Sequence, residues 1–112
     1  MMEKDMKKRI INSAIKSRIE IIAEHYGLEL QLIKGIEEMA EFSAEISKHL
    51  FNNAFNETQI KDSFFKELAD VIIMISQIKY LLRDKEDEIQ KTIGKKLDRQ
   101  MDRIAAEKEK NK

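Results

Sequence analysis

The chain has 112 residues and 13.2 kDa, which suits one domain (1–112) around a single core and leaves a partner subunit useful for burying further apolar surface. Its 21 basic and 21 acidic residues cancel, so no global field draws it to nucleic acid or to an anionic membrane. Without cysteine it has no disulfide, thiolate metal site or cysteine nucleophile. With no apolar leader in "MMEKDMKKRI" and no run of about 18 apolar residues, it reads as a soluble cytoplasmic protein.

Proline is absent and glycine numbers three, while Ala, Leu, Ile, Met, Glu, Lys and Arg dominate, the vocabulary of an all-α fold. Ile11, Ile15, Ile19, Ile22 and Tyr26 form one apolar stripe, predicting a first helix that stops at Gly27. A second helix is predicted from about residue 30 to about 51. Leu32, Ile36, Met39, Ser43, Ile46 and Leu50 share one face, with Lys34, Glu38, Glu41 and Glu45 on the other.

"NNAFNETQIKDS" supplies polar, turn-forming residues, and Thr58 or Asp62 can N-cap the next helix. That third helix, "FFKELADVIIMISQIKYLL", is apolar all around from Val71 to Ile75, so it should be covered on most sides. "RDKEDE" interrupts the apolar run. A charged fourth helix follows, with Ile89, Ile93, Leu97, Met101, Ile104 and Ala105 on its inner stripe and a fraying tail, "EKEKNK". The stretch around 52–62 is loose enough to move. Short connections favour antiparallel neighbours, so a compact four-helix-bundle-like arrangement is expected, with a second copy covering part of the third helix.

The acidic residues carry the chemistry. "IEEMAEF" places Glu37, Glu38 and Glu41 on one or two turns of the second helix, where like charges three and four apart repel by a few tenths of a kcal/mol per pair. By wheel geometry alone these residues form a solvated face. Glu67 and Asp70 weigh against that, because they lie three apart inside the most apolar helix, where an isolated carboxylate is costly. If the two helices pack antiparallel, Glu38, Glu41, Glu67 and Asp70 converge and ask for a divalent cation. Oxygen-only ligands favour Mg²⁺ or Mn²⁺, and Mg²⁺ commonly bridges to phosphates.

"GIEEMAEF" followed by "KELADVIIMI" resembles the MazG-like all-α nucleoside triphosphate pyrophosphohydrolases, whose signature is EExxE, a spacer, then ExxD. The resemblance spans about residues 20–100. It implies a Mg²⁺-dependent enzyme, with Mn²⁺ as a substitute, that cleaves a (d)NTP between its α and β phosphates to the monophosphate and pyrophosphate. It further implies nucleotide-pool house-cleaning by a homodimer or homotetramer. By position it assigns Glu38, Glu41, Glu67 and Asp70 to the metal, and Glu37 with Glu38 to catalysis, Glu37 as an outer group or base. It puts Gln31, ahead of the motif, and Lys96 and Arg99, in a basic segment of the last helix, on the substrate. Many relatives carry a tyrosine four residues after the final aspartate, where this chain has Met74.

With no tryptophan, base stacking would fall to Tyr26, Phe51, Phe55 or Tyr80, each of which also suits a core or an interface. His25 and His49 lack the Glu-x-x-His spacing of a di-iron bundle and are expected at helix ends or surfaces. Two other classes of function are open to the same composition. One is a non-catalytic helical interaction module; the other is nucleic-acid binding through the last helix, against which the zero net charge argues.

Overall fold

The computed structural model describes residues 9–51 and 60–111, and every regular element among them is helical. We number them α1 (Ser13–Phe51), α2 (Asp62–Leu81) and α3 (Glu86–Lys110), with a 3₁₀ turn at Arg83–Lys85 ahead of α3. The chain divides between Leu81 and Leu82 into two compact units. None of the helices is long and apolar enough to cross a membrane, among the described residues.

Asn12 starts α1 by accepting the Ile15 N–H at its side-chain Oδ1, 3.0 Å away, an N-cap that the apolar spacing did not reveal. The expected break at Gly27 is present as a kink: φ 81° and ψ 169° lie in a region essentially restricted to glycine, so α1 is two helical arms, 13–26 and 28–51. α2 begins at Asp62, which therefore lies in its first turn. Thr58 and Phe55, and most of the stretch expected to be loose, lie outside the described residues.

Within the first unit α1 and α2 run antiparallel. Tyr80 near the end of α2 donates its hydroxyl to Glu24 Oε1 at 2.8 Å, while Ser63 at its start donates to Glu45 Oε1 at 2.6 Å. The face that α1 turns to α2 is Gln31, Gly35, Glu38, Phe42, Glu45 and His49, with spacings of four, three, four, three and four. That is the 3.5-residue seam of a two-helix coiled coil. It corrects the predicted orientation: Glu38 and Glu45 are buried, whereas Leu32, Ile36, Met39 and Leu50 are exposed, Ile36 by 70%.

Two features explain the inversion. Gly35 lets the helices approach closely, since a Cβ there would lie 3.3 Å from Ile78 Cδ1 and 3.5 Å from Met74 Cγ. The polar seam residues are also interleaved with apolar ones from α2, Val71 and Met74, both buried. Ile19 and Ala23 extend the core along the first arm, and Phe42, Phe64 and His49 close its other end with edge-to-face contacts at 5.2–5.4 Å. Ile73 and Ile75 of α2 are exposed, so among the described residues the helix that is apolar all around is covered on one side only.

In the second unit every described residue from Arg83 onward is exposed, including the stripe Ile89, Ile93, Leu97, Met101 and Ile104. Glu86, Asp87 and Glu88 in the first turn of α3 and Lys108 and Lys110 in its last complement the helix dipole. The predicted fraying tail is instead helical to Lys110.

Candidate metal centre

The two halves of the acidic pattern meet on the seam. Glu38 enters it from α1, 8% exposed, and α2 answers one turn apart with Glu67, half-buried, and Asp70, exposed. One carboxylate oxygen from each lies within 4.8 Å of the others. Two hard-ion bonds of roughly 2.0–2.6 Å span up to about 5 Å, so a single divalent cation can touch all three.

The unmet demand for a counter-charge is visible in individual atoms. Oε2 of Glu38 and Oε2 of Glu67 are buried without a hydrogen-bond partner. Burial first, then the charges of Glu41, Asp70, Glu38 and Glu45, pushes the Glu67 carboxyl above its ordinary 4.5. Among the described residues, Lys34 pairs with this group: its Nζ lies 3.3 Å from Glu38 Oε1 and 3.4 Å from Glu37 Oε1. Hydrogen bonds to Glu38 and then Glu37 raise this ammonium above its ordinary 10.5. It reaches neither orphaned Oε2.

Of the four expected ligands, Glu38, Glu67 and Asp70 converge. Glu41 is exposed and outside the converging trio, although close enough for its charge to act on Glu67. Glu37 is exposed and paired with Lys34. Gln31, two turns before Glu38 on the same seam, is 4% exposed and its Oε1 has no partner. Lys96 and Arg99 lie on α3 in the second unit, both exposed.

Three residues escaped the reading of the sequence. Lys34 was grouped with the solvated face, whereas it is the ion-pair partner of Glu38. Gln77 is 3% exposed on α2. Glu45 is buried and held by Ser63, with His49 Nδ1 donating to the Glu45 carbonyl at 2.9 Å. The alternating four-three spacing of Gln31, Gly35, Glu38, Phe42, Glu45 and His49 is the signal that would have found Glu45; Lys34 and Gln77 lie outside it. Comparison with protein families, with characterised proteins and with solved structures gave no match.

Proposed function

We propose that this chain is a Mg²⁺-dependent nucleoside triphosphate pyrophosphohydrolase of the MazG-like all-α kind, converting a (d)NTP to the (d)NMP and pyrophosphate and cleansing the cytoplasmic nucleotide pool. One observation carries the reading: two buried carboxylate oxygens, on Glu38 and Glu67, lack any partner and stand beside Asp70 in a trio narrow enough for one cation. An acidic cluster kept for stability would satisfy its oxygens from within.

Glu38, Glu67 and Asp70 would hold the ion, with Glu41 beside them, and the all-oxygen set suits Mg²⁺ or Mn²⁺. When bound, a divalent cation supplies charge neutralisation at phosphate oxygens and acidifies water. The protein's own part is positional. Glu37, exposed at the edge of the trio, accepts the proton of a water that adds to phosphorus as the bridging oxygen departs with pyrophosphate. Lys34 is free to turn to a phosphate oxygen once Glu38 has another counter-charge. Lys96 and Arg99 are assigned to the departing phosphates by the resemblance alone.

The exposed apolar faces, Leu32, Ile36 and Met39 on α1 and Ile73 and Ile75 on α2, support a homodimer or homotetramer that completes the helical bundle. Those same faces favour the second reading, a non-catalytic helical interaction module. A screen of canonical and modified nucleoside triphosphates for released pyrophosphate, with Mg²⁺ and then with chelator, separates the two. Turnover that chelator abolishes supports the hydrolase. Absence of pyrophosphate from every nucleotide, with no thermal stabilisation by Mg²⁺ or Mn²⁺, leaves the module.

A further inference from the structure

The second unit is a helix without a core. Ile89, Ile93, Leu97, Met101 and Ile104 lie on one stripe of α3, and all of them are exposed. A lone helix in water takes most of its stability from packing such a face, so this stripe is a surface built to be covered. Gly94, one turn before Leu97 and beside the stripe, adds a second sign. Glycine inside a helix costs about 1 kcal/mol relative to alanine. At Gly35 that cost admits the side chains of Ile78 and Met74, whereas a Cβ at Gly94 would meet nothing within 4 Å among the described residues.

The charges say what the covering surface is. Acidic and basic residues cancel over α3, which gives an anionic membrane or a nucleic acid no hold. They are also arranged with direction. Glu86, Asp87 and Glu88 occupy the first turn, and Lys108 and Lys110 the last. The stripe itself reads the same from either end about Leu97. Ile93 and Met101 stand four residues to either side, Ile89 eight before it, and Ile104 and Ala105 seven and eight after. Glu86 and Lys108 stand eleven residues to either side, about three turns, and so fall on the same face. A second α3 laid antiparallel over the first therefore sets Leu97 on Leu97, Ile93 on Met101, and Ile89 on Ile104 and Ala105, with Glu86 near Lys108 at both ends. Parallel pairing would bring two acidic first turns together and align the helix dipoles.

We infer that α3 is a self-association element, which pairs antiparallel with α3 of a second copy through the stripe centred on Leu97. Sequence symmetry of this kind is what an isologous contact requires, because each residue must meet its counterpart twice, and a foreign partner would not impose it. The contact is separate from the apolar faces of α1 and α2, and it does not depend on the nucleotide reading.

The chain has no cysteine, so single cysteines can report the pairing in the full-length protein. Ile93→Cys mixed with Met101→Cys should form a disulfide-linked dimer under mild oxidant. Either variant alone should not, since antiparallel pairing holds each cysteine about 12 Å along the helix from its own copy. Sedimentation with chelator present should show Leu97→Glu raising the dissociation constant for self-association about tenfold or more, the scale for removing two leucines from one contact. Leu97 is exposed within the chain, so this change strips nothing from a core. Ala106→Glu, on the opposite side of α3, should leave self-association as it is. Cross-linking of each cysteine variant with itself but not with the other would overturn the antiparallel arrangement. A chain that stays monomeric to millimolar concentration would overturn the pairing. So would a mixture that does not cross-link, or self-association indifferent to Leu97→Glu; the stripe would then belong to the first unit or to a different protein.

Discussion

Glu38 and Glu45 occupy the same face of the same helix, two turns apart, and are buried to nearly the same extent, yet their surroundings are opposite. Glu45 is satisfied by its own chain: Ser63 donates to Oε1 at 2.6 Å, and Lys48 and the His49 ring stand 4.0 and 3.7 Å from its carboxylate oxygens. His49 ties this end further, since its Nε2 accepts the Lys61 N–H at 3.4 Å. Glu38 receives only the partly exposed Lys34 at one oxygen and faces two more acids from α2. A buried acid that is saturated from within fastens two helices together. One that is left wanting is what the proposed cation would satisfy.

The comparison breaks most visibly in activity. Glu38→Gln or Asp70→Asn should cut pyrophosphate release on the order of 10²–10³-fold, the usual scale for losing a charge-stabilising group, whereas Glu45→Gln should leave the rate within a few-fold. A steady-state pyrophosphate assay on the three variants decides it. If Glu45→Gln is as damaging as Glu38→Gln, the two ends of the seam are not distinct.

Metal should act at one end only. Mn²⁺ or Mg²⁺ at a hundred times its Kd should stabilise the native chain by about 2.7 kcal/mol, read as a rise in melting temperature, and the rise should vanish in Asp70→Asn. Ser63→Ala sharpens the contrast from the other side. It strands Glu45 Oε1, should cost about 1–2 kcal/mol in denaturant unfolding, and should leave the metal-induced rise intact.

The smallest effect is in pH. The carboxyl of Glu67 is raised in the folded chain by burial and by the acids around it, so the protonated form is the better tolerated one. The metal-free protein should then hold this contribution fully below the ordinary value of 4.5 and lose it as pH rises through the raised value. Melting curves from pH 4 to 7 should show that decline with chelator, and Mn²⁺ should flatten it. Glu67→Gln should flatten it without metal.

How far this was legible beforehand differs from residue to residue. The break at Gly27 follows from local chemistry that acts on a few neighbouring residues, and it was readable; the start of α2 was narrowed only to an N-cap at Thr58 or Asp62, and Asp62 is instead its first helical residue. The approach of Glu38 to Glu67 and Asp70 followed from the spacing together with an antiparallel pair. What periodicity could not supply was the side of α1 that meets α2. It ranks faces by apolarity, and the most apolar face of α1, with Leu32, Ile36 and Met39, is not the one the chain buries against itself. For the same reason Gln77 and Lys34 gave no signal, and Gln31 was singled out only by the resemblance, since their burial or pairing comes from what α2 and neighbouring turns place beside them.

Gly35 lies between Gln31 and Glu38 on the seam, where the side chains of Ile78 and Met74 pack directly against its backbone. The missing carbon works as a spacer of zero thickness. It helps set how far apart the rods stand one turn before the acids. A larger residue there would act as a wedge, spreading Glu38 from Glu67 and Asp70 and, on the proposed reading, loosening the grip on a small cation.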